Sequence, residues 1–165
     1  MKFSAAMTGL AALSLPATAM AQDQRCIPQA QSEAVVAYLL PDMLESAGDR
    51  CARQLGRDAY LSTNAGNLAD RLQPLAERSW PEAKRGLENA FASPLPDDPN
   101  ILAFGRKAIA DGITKDLDQA ACGVVSDLTR ELAPLPPQNF ANVFALFLRL
   151  GINGSPDSEL RICEA

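Results

Sequence analysis

Carboxylates are the side chains that would have to carry any chemistry in this sequence, because its 165 residues include no histidine. Without histidine, Ser-His-Asp and Cys-His catalysis are excluded. Histidine-ligated zinc, copper and iron centres and the usual covalent haem motif are excluded for the same reason. The chain also has neither GxGxxG nor GxxxxGK(S/T), the glycine-rich fingerprints of nucleotide-binding sites. We therefore expect no cofactor and no metal site.

Three close acidic pairs remain as candidates for acid–base catalysis: Asp97 with Asp98, Asp116 with Asp118, and Asp157 with Glu159. A glycosidase holds two carboxylates roughly 5–10 Å apart across a sugar cleft. Such clefts usually present aromatic rings, and this chain has one Trp and two Tyr. Helix capping, a solvated connector and a surface turn explain the three pairs more simply. We predict that the protein is not an enzyme, and a carboxylate-based hydrolase is the least favoured alternative.

The cysteines predict two structural disulfides, because their number is even and the chain has the features of an exported protein. They are Cys26, Cys51, Cys122 and Cys163. No CxxC motif is present, so neither a thioredoxin-like site nor a zinc knuckle is indicated. A continuous helix over 30–55 would place Cys26 and Cys51 about 37 Å apart, whereas a disulfide needs Cα atoms within about 7 Å. Two pairings remain, 26–163 with 51–122 or 26–122 with 51–163, and we favour the first because it ties the chain ends together.

Residues 1–21 have the features of a secretory signal peptide that is removed by cleavage. Lys2 supplies a positive charge, residues 5–15 form a short apolar run, and residues 19–21, Ala-Met-Ala, form a small-x-small cleavage site. Cleavage would leave residues 22–165, a length typical of a single domain with its own core. We predict a periplasmic or secreted protein with no membrane span in the mature chain, because the apolar run is shorter than a span requires.

The charge balance argues against two classes of partner. The chain has 15 Lys and Arg against 20 Asp and Glu, a net charge of −5, and loss of Lys2 with the signal peptide makes the chain more acidic. Nucleic acids and anionic membranes both require a positive protein surface. We therefore expect neither as a partner.

Apolar residues recur at helical spacing along most of the mature chain, which predicts an all-α, compact bundle of about six helices. The stripe over 30–55 passes Pro41 without changing phase and indicates one kinked helix. If Pro41 instead folded this helix back on itself, the 26–51 pairing would again be possible. Further helices are expected over 65–76, where Pro74 should kink or shorten the helix, and after Pro81.

The stretch over 138–151, QNFANVFALFLRLG, is the expected hydrophobic centre of the bundle. It holds three of the six phenylalanines and is apolar around most of its circumference, which requires packing on several sides. A short proline-rich turn joins it to a preceding helix over 122–133. We expect these two helices to form an antiparallel hairpin.

The helix predicted to begin at Asp98-Pro99 has an unusual apolar face. That face contains Ile101, Phe104, Gly105, Ala108, Ile109, Gly112 and Ile113. Its small residues indicate either the close approach of another helix or the floor of a site for an apolar ligand. Tyr38 and Trp80 are the conspicuous aromatic residues, and either could line such a pocket.

These features together predict an exported, non-catalytic binding or interaction module. The first hypothesis is a small apolar ligand held between helices, where helical bundles commonly form sites, in a cavity near Phe104, Ile109 and Phe144. The alternative is a protein-interaction factor, such as an inhibitor or an assembly factor of the cell envelope. That alternative requires an exposed apolar patch larger than a few hundred Å².

Overall fold

The computed structural model describes residues 26–154 and 161–163, so the predicted signal peptide, residues 1–21, lies outside the described residues. Five α-helices and one pair of short strands make up the described part of the chain. In order they are β1 (Cys26–Ile27), α1 (Gln29–Leu55), α2 (Tyr60–Phe91), α3 (Pro99–Thr114), α4 (Gln119–Leu132), α5 (Pro137–Gly154) and β2 (Arg161–Ile162). The predicted all-α fold with two disulfides is confirmed, with five helices rather than about six.

α1 is continuous over 27 residues and runs through Pro41, as its unbroken apolar stripe predicted. α2 is one helix of 32 residues, although the sequence analysis predicted two shorter helices in this region. Pro74 and Pro81 both lie inside α2 and are exposed, and an interior proline costs about 3 kcal/mol. The buried positions keep one helical phase across both prolines: Leu61, Ala65, Leu68, Leu72, Leu75, Ala83 and Leu87. Burial of this stripe offsets the cost, because each leucine contributes about 1.5–3 kcal/mol.

The hydrophobic core lies between α1 and α2, which share the largest interface in the described part of the chain. The expectation that α5 forms the hydrophobic centre is wrong. α5 buries Phe140, Ala141 and Ala145 on one side, whereas Phe147 and Leu150 are 52% and 61% exposed. α4 and α5 pack on the α1–α2 pair rather than on each other, so the expected hairpin is also wrong. Within the described residues, α5 is therefore covered mainly on one side.

The two disulfides have the favoured pairing. Cys26 is bonded to Cys163 across 137 residues, and Cys51 to Cys122 across 71 residues. Cys51 and Cys122 are fully buried and connect α1 to α4. Because structural disulfides form and persist in oxidising compartments, this pair of bonds indicates a periplasmic or extracellular environment.

The two ends of the described chain are joined by a short parallel strand pair. β1 and β2 pair in parallel register, and the Cys163 N–H donates to the Ile27 carbonyl at 2.9 Å. Asn153, in the last turn of α5, forms two hydrogen bonds with Ile162. Its Nδ2 donates to the Ile162 carbonyl at 3.2 Å, and its Oδ1 accepts from the Ile162 N–H at 3.0 Å. One side chain thus attaches the C-terminal strand to α5.

Candidate functional site

An apolar groove lies between α1, α2, α3 and the segment that joins α2 to α3. It encloses about 320 Å³, at the lower end of the range of about 300–1,000 Å³ that is typical of small-molecule sites. Twelve residues line the groove, and one of them, Arg106, is charged. The full lining is Tyr38, Leu39, Trp80, Leu87, Phe91, Leu95, Pro96, Ile101, Leu102, Gly105, Arg106 and Ile109.

The groove exists because α3 contacts α1 through a polar face rather than through its apolar stripe. Arg106 Nε lies 2.6 Å from Asp42 Oδ2, and Ser46 Oγ donates to Asp111 Oδ1 at 2.6 Å. Asp42 and Ser46 lie one turn apart on α1 and therefore on the same face of that helix. Ala110, between the two α3 residues, is fully buried. These contacts fix the rotation of α3 about its own axis and turn its apolar stripe away from α1.

Among the helices that the structure describes, none consequently packs closely against the apolar stripe of α3. A Cβ atom added at Gly105 or Gly112 would have no neighbouring heavy atom within 4 Å, so the close helix approach expected at these glycines is wrong. Gly105 and Ile109 border the groove. Phe104 lies farther out and is 77% exposed. The small residues of the stripe leave open space instead of admitting another helix.

Tyr38, Trp80 and Arg106 form the end of the groove that carries polar atoms. The Tyr38 and Trp80 ring centroids lie 4.7 Å apart, and the guanidinium carbon of Arg106 lies 5.1 Å from the Tyr38 ring centre. Burial raises the pKa of the Tyr38 phenol, an effect that Arg106 opposes and the Asp42 carboxylate adds to. Tyr38 is therefore neutral at physiological pH. The ion pair between Arg106 and Asp42 leaves this end without net charge.

The segment between α2 and α3 forms one wall of the groove and is held in place by side chains of α2. The Leu95 N–H donates to Glu88 Oε1 at 3.1 Å, and Lys84 Nζ donates to Asp97 Oδ1 at 2.7 Å. The Asp98 side chain caps α3 by accepting hydrogen bonds from backbone N–H groups of its first turn. This confirms the helix start that the sequence predicted. The wall is thus attached at both its α2 side and its α3 side.

The sequence predicted some of the residues that line the groove but not all of them. Ile109, Tyr38 and Trp80 do line it. Phe104 points largely to solvent and Phe144 packs against the core, so the expected cavity among Phe104, Ile109 and Phe144 lies elsewhere. The contribution of the segment between α2 and α3 was missed. This segment has the sequence SPLPDDP, and its leucine and prolines were the available signal of an apolar wall.

Three of the four acidic-pair residues that the structure describes have structural roles. In the pair at 97–98, one carboxylate makes an ion pair with a lysine of α2 and the other caps α3. In the second pair, Asp118 caps α4 and Asp116 is exposed. The third pair, Asp157 and Glu159, lies outside the described residues. Within the described ranges, no group of three or more Cys, Asp or Glu side chains is placed to hold a metal ion.

The fold and the groove define a disulfide-bonded, all-α protein with an open apolar site between helices. Comparison of the chain with models of protein families, with curated proteins and with solved structures found no match. Among the helices that the structure describes, none is both long and apolar enough to cross a membrane.

Proposed function

We propose that the mature protein is a non-catalytic binding protein of the periplasm or the extracellular space that holds a small, neutral, apolar molecule in the groove. The observation that carries this proposal is the unpartnered apolar face of α3 where it borders the groove. Apolar surface gains roughly 25 cal/mol per Å² when it is removed from water. A molecule that covers this face of α3 and the facing side chains of α1 and α2 would therefore bind favourably.

The ion pair at the polar end favours a neutral ligand over a charged one. Arg106 and Asp42 have side chains that are 20% and 16% exposed, and their charges compensate each other at 2.6 Å. An anionic head group would have to compete with Asp42 for the guanidinium and would lie close to that buried carboxylate. Separating a buried ion pair is costly. A neutral molecule avoids this cost and can pack its apolar body on the rings of Tyr38 and Trp80.

Trp80 gives a direct readout of binding, because it is the only tryptophan in the chain and it lines the groove. We expect 1-decanol, added to the purified mature protein, to change Trp80 fluorescence in a saturable manner. Decanoate, with the same chain length and a negative charge, should bind at least tenfold more weakly. Decanoate binding as tight as that of 1-decanol would refute the neutral-ligand argument. The absence of a saturable response to either compound would count against the groove as a ligand site.

Two glycines of α3 provide a matched pair of variants for locating the bound molecule. Gly105 and Gly112 both have open space around an added Cβ atom, and both would gain about 1 kcal/mol of helix propensity on substitution. Only Gly105 borders the groove. We expect Gly105→Leu to weaken 1-decanol binding at least tenfold and Gly112→Leu to leave it within twofold of wild type. Equal effects of the two substitutions would place the binding site elsewhere.

Native mass spectrometry can identify the natural ligand. The protein would be purified from its own cell envelope and measured before and after denaturation. An adduct that is lost on denaturation gives the mass of the ligand, and its absence from Gly105→Leu prepared in parallel would assign it to the groove. An adduct retained equally by Gly105→Leu would argue against the groove.

A protein-interaction factor, such as an inhibitor or assembly factor of the envelope, is the second candidate. It is favoured by large apolar side chains that are exposed on α3 and α5, among them Phe104, Phe147 and Leu150. A photo-crosslinking amino acid at Phe104 should then give one discrete crosslinked product in the native envelope. The same group at Arg71, an exposed position on α2, is the control. Identical crosslinking from both positions would refute a specific contact at α3.

A further inference from the structure

A second concave surface lies between α1 and α3 and has the opposite character to the groove. It encloses about 390 Å³ and is lined by Ser46, Asp49, Arg50, Arg53, Lys107, Asp111, Thr114 and Lys115. We call these eight residues the basic cleft, because four cations and two carboxylates give it a net charge of +2. The whole chain has a net charge of −5. The general acidity that favours solubility does not account for a local positive surface of this kind.

Two polar stripes build the basic cleft, one on each helix. On α1 the four residues fall at i, i+3, i+4 and i+7 from Ser46, and on α3 and its C-cap residue Lys115 they fall at i, i+4, i+7 and i+8 from Lys107. Each set therefore lies on one face of its helix. Ser46 and Thr114 are buried, and the Ser46 hydroxyl bonds across the cleft to Asp111. The charged side chains thus converge above a hydrogen-bonded polar floor.

Most of the positive charge of the cleft is not neutralised by a neighbouring carboxylate. Lys107 Nζ lies 3.3 Å from Asp111 Oδ1. Arg50, Arg53 and Lys115, in contrast, make no ion pair with any residue that the structure describes. Three cations from two helices are therefore available to a ligand at the same concave site.

Arg50 is also held in position before any ligand arrives. Its Nε donates to the Leu117 carbonyl at 3.0 Å, and the residue is half-buried. This bond uses one donor of the guanidinium and leaves its two terminal nitrogens for other acceptors. A guanidinium fixed in this way loses less side-chain entropy when it binds a ligand.

We propose that the basic cleft binds a small phosphorylated molecule, independently of what occupies the groove. Arginine forks match the paired oxygens of a phosphate group, and Arg50 and Arg53 supply two such forks. Lys115, the residue that follows α3, adds a third positive charge. The net charge of +2 favours an anionic ligand over a neutral one. The volume of the cleft suits a small molecule.

The test uses inorganic pyrophosphate as the probe and isothermal titration calorimetry on the purified mature protein. We expect wild type to bind pyrophosphate with submillimolar affinity at low salt and to bind less tightly as salt is raised, because Arg53 and Lys115 are exposed. Arg53→Gln combined with Lys115→Gln should weaken binding at least tenfold. The control combines Arg71→Gln with Arg78→Gln, which removes the same charge from exposed positions of α2 and should change affinity by less than twofold.

Amide chemical shifts give a second readout that general charge attraction would not produce. Pyrophosphate should shift the amide resonances of residues 46–53 and 107–117 and leave those of 71–78 unchanged. Equal losses of affinity in the two double variants, or shifts spread over all surface cations, would overturn the proposal. The absence of measurable binding to wild type at low salt would overturn it as well. A failure of 1-decanol to bind the groove would not affect any of these outcomes.

Discussion

Gly48 offers a quantitative test of how α1 and α2 pack. A Cβ atom added at this position would lie 2.5 Å from the Cβ of Ala65 on α2, whereas carbon atoms in contact are normally separated by 3.5–4.0 Å. Both atoms are attached directly to helix backbone, so no side-chain rotation can relieve the clash. Gly48→Ala would therefore require α1 and α2 to separate locally by about 1 Å.

The expected loss of stability in Gly48→Ala follows from a comparison with Gly66→Ala. Gly66 lies in the interior of α2, and an added Cβ there meets no atom within 4 Å. Both substitutions gain about 1 kcal/mol of helix propensity, but only Gly48→Ala carries an overpacking cost, which is typically about 1–3 kcal/mol. The difference between the two variants therefore isolates the strain. We expect Gly66→Ala to be about 1 kcal/mol more stable than wild type and Gly48→Ala to fall about 1–3 kcal/mol below Gly66→Ala.

Urea denaturation followed by circular dichroism would measure both free energies of unfolding. A double variant, Gly48→Ala with Ala65→Gly, moves the methyl group from α2 to α1 and should recover most of the strain. A double-mutant cycle should then give a favourable coupling energy between the two positions. If Gly48→Ala and Gly66→Ala were equally stable, the close approach of α1 and α2 at this point would be refuted.

The remaining predictions concern the disulfides, the C-terminal strand and one carboxylate. Replacing Cys51 and Cys122 by alanine should lower the free energy of unfolding by about 4 kcal/mol, because the bond closes a long loop; a loss below about 1 kcal/mol in urea denaturation would contradict this. Asn153→Ala should cost about 1–3 kcal/mol and speed amide exchange at Ile162, which loses both bonds to that side chain. The hydrogen bond from Ser46 lowers the pKa of Asp111 from its ordinary value of 3.8. The carboxylate therefore stabilises the folded protein fully above pH 3.8, the ordinary pKa, and this stabilisation is lost as the pH falls through the pKa of the folded state. Ser46→Ala should raise that pKa in an NMR titration, and an unchanged pKa would contradict the assignment.

Helical phase, the position of apolar residues around a helix, was the most reliable signal in the sequence. It was applied correctly to α1 and was not applied to α2. Continuity through Pro41 was predicted because the apolar stripe on either side kept one phase. The same argument applied to Pro74 and Pro81 would have predicted α2 as a single helix. The prolines were instead taken to interrupt it. The burial of α2 against α1 outweighs the local cost of each proline. That burial depends on tertiary packing, which the local sequence does not show.

The length of α1 excluded one of the three possible disulfide pairings, and the choice between the other two rested on the expectation that a disulfide ties the chain ends together. A continuous α1 separates Cys26 from Cys51 by far more than a disulfide can span. The burial of α5 could not be predicted in the same way. Its sequence is apolar around most of the helix, but exposure depends on how many neighbours surround it, and α5 packs mainly on α1. The composition of a helix indicates how much apolar surface it can bury, but it does not indicate which other elements will pack against that surface.

The orientation of α3 decides both candidate sites, and the apolar pattern alone predicted it wrongly. α3 buries only Ala110 and Thr114, so its position depends on polar contacts with α1 more than on apolar packing. Asp42 and Ser46 form those contacts, and they are the residues of α1 that the apolar pattern passed over. A helix attached in this way keeps an apolar face uncovered on one side and a charged face beside its partner on another. The ligands proposed for the two sites would each add contacts to α3, which buries far fewer residues than α1 or α2 does.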